Sequence, residues 1–342
     1  MATAPKMDPM VPASPAENGT SLRRVVQTQL LRRREQLEQA QPEIQTPQLV
    51  RLMKEVDLAL ERIDHGAFGV CEHCHGSVED EQLLTNPLAR FCLECLPPEQ
   101  QRMLERDLEL AAQIQMRLLP KRNMRVDGWN VAYHYRPFGV VSGDYCDLIS
   151  GPDETLYFLL GDVSGKGVAS SMLMANLNAT FRTLVPLGIP LSQMVERANR
   201  VFSESTLPMQ FATLISGKVT PDGGLELVNA GHNPAVVCTK EGVEVVEASA
   251  MPLGMFADQE FQSTRFTLSK GDAVLLYTDG ISEAVNAKDQ EYGLERLTQL
   301  IFRCREAGTA RLLEDCIEDL TAFREGAPAF DDETLMLVQR VA

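Results

Sequence analysis

The chain has 342 residues, of which 44% are hydrophobic and 23% are charged, and its formal net charge is −16. This length allows two or three folded units and at least one sizeable core. The acidic balance and the lack of a long basic run argue against nucleic-acid binding, because non-specific affinity for phosphate backbones depends on clustered Lys and Arg.

The first twenty residues are rich in Met, Pro, Ala and Ser, and they lack the cationic start and continuous apolar core of a signal peptide. We predict a disordered leader over residues 1–20. No apolar stretch approaches the length that crosses a bilayer, so the sequence predicts a soluble, cytoplasmic protein without membrane partners. Eight cysteines, four of them in two CxxC pairs, indicate a reducing compartment and one metal site rather than a disulfide framework.

Two amphipathic segments follow the leader. The first runs from Ser21 to about Ala40 with a sparse apolar stripe, and the second begins after the break over 41–47. Apolar residues of the second segment recur at spacings of three and four, at Leu49, Leu52, Met53, Val56, Leu60 and Ile63. This periodicity is typical of amphipathic helices. We predict an antiparallel helical hairpin that ends at His65-Gly66.

Two cysteine pairs follow the hairpin. Seventeen residues separate Cys71-x-x-Cys74 from Cys92-x-x-Cys95. Four thiolates at this spacing satisfy the tetrahedral preference of Zn²⁺, so the sequence predicts one structural zinc. His73 and His75 lie in or beside the first pair and are alternative ligands, although a histidine among four cysteines is more often a surface residue.

Residues 21–97 resemble the DksA/TraR family of zinc-finger proteins. The resemblance is carried by the hairpin and by three segments around the cysteines: Phe68-Gly-Val-Cys-Glu-His-Cys74, Glu81-Gln-Leu-Leu84-Thr-Asn-Pro87 and Arg90-Phe-Cys-Leu-Glu-Cys95. Members of that family insert the hairpin tip into the secondary channel of RNA polymerase through acidic residues. Here Glu43 is the one acidic residue of the tip, which favours a structural or sensory finger.

Pro97-Pro98 closes the cysteine region, and residues 98–119 are predicted to form a helical linker. Leu104, Ala111 and Leu118 repeat every seven residues, with Leu108 and Gln115 between them. Less than three heptads of this pattern leave two interpretations open. The helix either forms a coiled coil that joins a homodimer, or it packs against its own domain.

Beyond Pro120 the chain alternates between short apolar strands and helices. The strand candidates are 130–135, 155–160, 211–219, 225–229, 235–238, 264–268, 273–277 and 334–339, and the helix candidates are 166–185, 191–202, 294–303 and 310–323. Several consecutive strands with helices in pairs predict an α+β layered domain over 120–342 rather than a regular βαβ repeat.

Acidic residues stand where several of these strands end. We expect Asp144 after one strand, Asp162 after the run 156–160, Asp279 after 273–278, and Asp331-Asp332 before the last strand. A single such turn is common in any protein. Four of them favour a site for a hard divalent cation, because Mg²⁺ and Mn²⁺ prefer oxygen ligands from separate loops. The glycines around Val163 allow its carbonyl to reach the same point.

Residues from about 100 to the end resemble the metal-dependent protein phosphatase (PPM) superfamily, in its SpoIIE-like and RsbU-like branch. The motifs that carry the resemblance occur in the order of that family and lie at 142–147, 161–167, 211–213, 229–234, 252–254, 277–280 and 330–334. The resemblance implies an α-β-β-α sandwich with two Mn²⁺ or Mg²⁺ ions. It assigns Asp144 and Asp162 to both metals and adds the Val163 carbonyl. It assigns Asp279 and Asp331 to the second metal, with Asp331 preferred to Asp332.

The remaining candidates have weaker support. His232 either takes part in catalysis or fixes its turn by hydrogen bonds, and Lys166 and Arg136 either approach a substrate phosphate or are solvated charges. We expect Tyr145 and Cys146 to be packing residues. Glu333 departs from the family, which usually has an apolar residue at this position.

Three hypotheses follow. The first is a protein serine/threonine phosphatase, regulated or located by its zinc module, that uses a hydroxide bridging two cations; its substrate would be a phosphoprotein of a partner-switching pathway such as a STAS-domain anti-anti-sigma factor. The second is a DksA/TraR-like polymerase regulator with a degenerate phosphatase domain. The third is a scaffold in which metal only stabilises the fold.

Overall fold

The computed structural model describes residues 26–27, 30–31, 34, 37–38, 47–79, 82–83, 86–207, 210–304 and 307–342. Its contacts divide the chain into two units, Met1–Glu105 and Arg106–Ala342. The predicted leader and hairpin tip lie outside the described residues. Along the described part of the chain, no helix combines the length and apolar character that a membrane span requires.

The first unit contains the helices that the sequence predicted. Helix α1 spans Pro47–Asp64, and the described residues between 26 and 38 are also helical. The two segments pack through a small apolar core formed by Val26, Leu30, Val56, Ala59 and Ile63. Arg34 Nε also donates a hydrogen bond to Asp57 Oδ1 over 2.8 Å. Val26 and Leu30 of the first apolar stripe and Val56 and Ile63 of the second are therefore buried.

The cysteine region folds directly after α1. A short core of Val78, Leu83 and Ala89 packs around the buried Cys71 and Cys92. Arg62, in the last turn of α1, donates hydrogen bonds to Val70 O at 2.7 Å and to Ala89 O at 3.2 Å. These bonds attach the cysteine region to the helix, because they satisfy backbone carbonyls of its loops with a side chain of α1.

Helix α2 spans Pro98–Leu118 and contains the boundary between the two units. Its last turns lie against the second unit: Gln115 is buried, and Leu118 and Leu119 pack on an apolar cluster there. The last turns therefore pack as in the second of the two predicted arrangements, whereas Leu104, earlier on the same helix, is exposed. The dimer seam and the domain boundaries at 97 and 119 stay predictions.

Eleven strands within the described residues form two antiparallel sheets. The strands are β1 Asn123–Val126, β2 Trp129–Arg136, β3 Asp144–Ser150, β4 Leu156–Val163, β5 Ala212–Val219, β6 Gly224–Ala230, β7 Ala235–Cys238, β8 Val243–Val246, β9 Thr264–Thr267, β10 Ala273–Tyr277 and β11 Glu333–Arg340. The first sheet has the order β1-β2-β11-β10-β7-β8, and the second has the order β3-β4-β5-β6-β9.

Helices cover the outer faces of both sheets. Helices α3 Val168–Leu184 and α4 Leu191–Ser205 pack on the second sheet. Helices α5 Asp279–Ser282, α6 Leu294–Cys304 and α7 Thr309–Arg324 pack on the first. A third apolar cluster lies between the sheets. The predicted α+β class and α-β-β-α sandwich are therefore confirmed.

Strand β4 shows why the sheets stack. Phe158 and Leu160 point into the cluster between the sheets, whereas Tyr157 and Leu159 point toward the helices. Successive side chains of a strand face opposite sides, so a strand that is covered on both sides is apolar at nearly every position. Such a run was visible in the sequence.

Three strands were missing from the prediction: β1, β3 and β8. The expectation that Asp144 follows a strand was wrong, because Asp144 is the first residue of β3. Strand β3 was missed because Asp147 interrupts its apolar pattern. In the structure Asp147 is buried and accepts hydrogen bonds from Arg182 Nη2 at 2.7 Å and Arg182 Nε at 3.0 Å. The ion pair allows a charged residue in a buried strand.

Candidate metal centre

Two predicted ligands meet where β3 begins and β4 ends. Asp144 and Asp162 are directly paired across these antiparallel strands. Val163 N donates a hydrogen bond to Gly143 O over 3.3 Å. A Cβ on Gly143 would lie 3.0 Å from Val163 O and 3.4 Å from Asp162 Oδ1. The absence of a side chain at this glycine leaves a carbonyl and a carboxylate oxygen side by side.

The other two predicted ligands come together on the first sheet. Strands β10 and β11 are antiparallel neighbours, with Tyr277 opposite Leu335. Asp279 starts α5 just after β10, and Asp331 lies just before β11, so both lie at the same end of these two strands. A Cβ on Gly280 would lie 2.0 Å from Asp332 O. Only glycine allows these two segments to approach so closely.

Two threonines connect the two sheets through hydrogen bonds to Asp144. Asp144 Oδ2 accepts hydrogen bonds from Thr278 Oγ1 at 3.0 Å and from Thr334 Oγ1. Thr334 N donates to Thr278 Oγ1 at 3.0 Å. These bonds fix a buried carboxylate of the second sheet to the ends of β10 and β11 in the first. Sequence reasoning missed both threonines, although each is within three residues of a predicted ligand.

Asp331 and Asp332 have different roles in the structure. Asp332 Oδ1 accepts a hydrogen bond from Phe138 N at 2.7 Å, and its Oδ2 accepts one from Gly143 N at 2.9 Å. Both of its oxygens therefore hold the loop before β3. Asp331 Oδ2 instead accepts a hydrogen bond from Lys166 Nζ at 2.8 Å. This arrangement favours Asp331 as the ligand, as the sequence predicts.

The carboxylates of this site repel one another. Burial, followed by the charges of Asp279, Asp331 and Asp332, raises the pKa of Asp162 to about 7. Burial and the charge of Asp162 raise the pKa of Asp144, while its threonine partners oppose the rise. Burial and Asp331 raise the pKa of Asp279. A divalent cation would stabilise the charged forms, so this oxygen-rich donor set fits Mg²⁺ or Mn²⁺.

The aspartates are more widely spread than the ligands of one ion. Among the described residues, one group of three or more Cys, His, Asp or Glu has ligand atoms all within 4.8 Å of one another, and it is the cysteine group. A single ion would therefore not contact all four aspartates in this arrangement. The spread is compatible with ligands that two ions divide between them.

His232, in the turn after β6, supports Asp162 through Thr213 of the neighbouring strand β5. Its Nδ1 shares a hydrogen bond with Thr213 Oγ1 over 2.8 Å, and Asp162 N donates to the same hydroxyl over 3.3 Å. Burial lowers the pKa of His232 to about 4, so the imidazole is neutral near pH 7. His232 N also donates to Asn229 Oδ1 over 2.9 Å. These bonds fit the predicted role of a residue that fixes its turn.

The structure assigns Tyr145 and Cys146 to the core and Arg136 to an ion pair. Tyr145 and Cys146 are fully buried packing residues, and Tyr145 stacks on Phe181 with ring centroids 6.1 Å apart. Arg136 lies 3.9 Å from Glu333, whose carboxylate also pairs with Arg324 at 2.6 Å. The charged residue at position 333 is therefore buried within an ion-pair network.

The four cysteines form a separate, sulfur-rich site. The Sγ atoms of Cys71, Cys74, Cys92 and Cys95 lie within 4.8 Å of one another, and those of Cys74 and Cys92 are 3.7 Å apart. Tetrahedral Zn–S bonds of about 2.3 Å require sulfur atoms about 3.8 Å apart, so the group is compatible with zinc. Neither His73 nor His75 belongs to the group within the described residues.

Backbone groups favour a thiolate at Cys71, whereas burial raises the pKa of Cys92, and the Cys92 thiol together with burial raises that of Cys95. Burial disfavours the charged form of Cys71, but the N–H groups of Cys74, Cys92 and His73 outweigh it and lower the pKa of the thiol to about 6. Gly76 N also donates to Cys74 Sγ over 3.4 Å. Zinc binds the thiolate form, so these donors assist metal binding.

Comparison with known proteins gives three findings. The family model described as Stage II sporulation protein E (SpoIIE) matches residues 152–341. Protein IcfG of Synechocystis is 26% identical over 263 residues, which are 68% of this chain and 41% of IcfG. Phosphoserine phosphatase RsbU of Bacillus subtilis is 24% identical over 245 residues, which are 70% of this chain and 72% of RsbU.

A solved structure is also similar. The structure of the RsbU and RsbW domains of Rv1364c from Mycobacterium tuberculosis superposes with a TM-score of 0.56 and 27% identity, over 66% of this chain and 62% of that one. The similarity to IcfG and to Rv1364c thus spans less than two thirds of either protein.

Proposed function

The chain belongs to the Stage II sporulation protein E (SpoIIE) family, and we propose that it is a metal-dependent protein serine/threonine phosphatase whose active site is the aspartate cluster. The observation that carries the proposal is the convergence of Asp144, Asp162, Asp279 and Asp331 at one end of the sandwich. The name phosphoserine phosphatase, which RsbU bears, supports the same reaction.

Asp144, Asp162, the Val163 carbonyl, Asp279 and Asp331 would hold two Mn²⁺ or Mg²⁺ ions. When bound, the ions supply an activated water for in-line attack on phosphorus and neutralise the phosphoryl oxygens. The protein contributes rigidity. The hydroxyls of Thr278 and Thr334 orient Asp144, and the Asp332 side chain holds the loop that carries it. Fixed carboxylates need little reorganisation when the charge of the reaction develops.

The name of RsbU supports a phosphoserine substrate. A phosphoserine or phosphothreonine on a regulatory protein is the proposed target, and a STAS-domain protein of a partner-switching pathway is the preferred candidate. We propose that residues 120–342 carry out catalysis and that residues 21–97 regulate this domain or locate its substrate. The helix over 98–119 would link the two. A homodimer through that helix is part of the same proposal.

The test is Mn²⁺-dependent hydrolysis of an aryl phosphate and of a phosphoserine STAS-domain protein by the full chain. Asp162→Asn and Asp279→Asn should each lower kcat/KM by at least about a hundredfold, because each removes a cation ligand. Asp222→Asn is the matched control, since Asp222 lies in the β5–β6 turn at the opposite end of the second sheet. The phosphatase proposal is wrong if the wild type is inactive with Mn²⁺ on both substrates, or if both ligand variants retain wild-type activity.

A further inference from the structure

The ammonium of Lys166 contacts three groups at the proposed metal centre. Its Nζ lies 2.8 Å from Asp331 Oδ2 and 3.1 Å from Phe330 O. The ammonium also lies 5.3 Å from the centroid of the Phe138 ring. Among the salt bridges of the described residues, this is the one that includes a proposed metal ligand. The three contacts give the ammonium a defined place at the edge of the aspartate cluster.

The pair is exposed enough to be exchanged. The side chain of Lys166 is 58% exposed and that of Asp331 is 40% exposed. Exposed ion pairs contribute only about 0.2–1 kcal/mol, because water and salt screen them. A divalent cation that gathers several carboxylates is a much stronger partner for Asp331, and the two partners require the same carboxylate oxygen or its neighbour.

The chain on both sides of Lys166 permits this exchange. Gly165 has a φ of 93° and Gly167 has a φ of 81°, and a Cβ on either would meet no atom within 4 Å. Lys166 therefore lies between two residues whose backbone has wide conformational freedom. Its ammonium can leave Asp331 through a change in this short segment, without a change in β4 or α3.

From these contacts we propose that Lys166 is a built-in competitor for the divalent cation at Asp331. The ammonium is the counter-ion of Asp331 before the cation binds, and it leaves this carboxylate when the cation takes its place. The inference rests on the proposed metal centre. Its consequence is a cation affinity that is lower than the carboxylates alone would give.

The first test measures the affinity of the full chain for Mn²⁺ by electron paramagnetic resonance of the free ion. Of the two Mn²⁺ ions, the more weakly bound one should bind to Lys166→Met about three- to thirtyfold more tightly than to the wild type. The substitution removes the ion pair with Asp331 and also a positive charge next to the cation. Lys166→Arg keeps the charge and can pair with the carboxylate at least as strongly, so it should bind Mn²⁺ no more tightly than the wild type.

Lys218→Met is the matched control. Lys218 also lies over an aromatic ring, that of Tyr157 at 5.7 Å, and it loses the same charge. It is close to the far end of β5, five residues beyond Thr213, which pairs with Asp162. This separation is about 17 Å along the strand, beyond the range at which exposed charges interact strongly in salt. Equal Mn²⁺ affinities of wild type, Lys166→Met and Lys218→Met would overturn the inference.

A second readout follows the lysine itself. Acetylation of the native chain by a water-soluble ester, read by mass spectrometry, should modify Lys166 severalfold faster with Mn²⁺ than without it, relative to Lys218. Asp331→Asn should react fast even without Mn²⁺, because it lacks the partner carboxylate. Slow, unchanged labelling in both cases would also refute the competition.

The outcomes separate this inference from the proposed function. If the wild type hydrolyses its substrates with Mn²⁺ and Lys166→Met binds Mn²⁺ no more tightly, the competition by Lys166 is refuted and the phosphatase proposal stands. If the wild type binds no Mn²⁺, both proposals are refuted.

Discussion

The metal-free protein should become less stable as the pH rises, and Asp162 should be a main cause. The pKa of Asp162 is raised from 3.8 to about 7 in the folded chain. The folded state therefore holds this proton between about pH 4 and pH 7, where the unfolded state has lost it. Because the folded state binds more protons in this window, the free energy of unfolding falls as the pH rises through it.

The size of the effect follows from the shift. A difference of about three pKa units corresponds to about 4 kcal/mol, at 1.36 kcal/mol for each unit. Asp162→Asn cannot ionise, so it should be up to about 4 kcal/mol more stable than the wild type near pH 8 and nearly equal to it near pH 4. The same substitution should remove Mn²⁺-dependent activity, because it removes the proposed ligand.

The assay is urea unfolding of Chelex-treated protein over a pH series. Trp129 is the single tryptophan of the chain and lies 2% exposed in the core between the sheets, so its fluorescence reports the unfolding of this domain. Asp222→Asn is a control of opposite sign, because the Thr220 hydroxyl lowers the pKa of Asp222. Parallel pH curves for wild type and Asp162→Asn would show that neither burial nor the neighbouring carboxylates raise the pKa of Asp162.

Three further predictions concern a support of the aspartate site, the buried ion pair of Glu333 and the cysteine site. Thr334→Val should weaken Mn²⁺ binding about tenfold to a hundredfold, because Asp144 loses a hydrogen bond to a charged group. Glu333→Met should destabilise the domain by about 3–5 kcal/mol in urea, because it leaves the buried Arg324 without its partner. The full chain should contain about one zinc by elemental analysis, and Cys71→Ser should lose it.

Each of these predictions has its own control. Thr334→Ser keeps the hydroxyl and should restore Mn²⁺ binding; equal losses in both variants would mean that the hydroxyl is not responsible. Replacing Glu333 and Arg324 together by Met should recover much of the lost stability, and a purely additive loss would contradict the ion-pair explanation. Cys146→Ala, outside the cysteine group, should keep the zinc, and a metal-free wild type would refute the site.

The helices and strands that the sequence predicted share a strong local pattern. Strands β7 and β10 were predicted with the bounds that the structure has, because uninterrupted apolar runs with sharp polar ends mark strands covered on both faces. Strands β1 and β8 are only four residues long and are partly exposed, so their patterns are weak. In β3 a polar residue stands in the core, and its partner Arg182 is 35 residues away.

The sequence by itself determined which residues could form the two metal sites. Paired cysteines at fixed spacing and acidic residues at strand ends are patterns that a short stretch of sequence shows. Zinc binds sulfur and Mg²⁺ binds oxygen, so the residue types alone indicate which metal each site would take. The pattern of elements predicted an α+β layered domain, and the family resemblance implied the α-β-β-α sandwich, which the structure confirms.

Only the tertiary structure decided how those residues are held. The threonine hydroxyls on Asp144 belong to residues 134 and 190 positions away, and Lys166 meets Asp331 across 165 positions. The hydrogen bonds by which Asp332 holds the loop before β3 span 194 and 189 positions. Hydrogen bonds and ion pairs act over a few ångströms, so these contacts exist only once the two sheets have packed, and no periodicity along the chain records them.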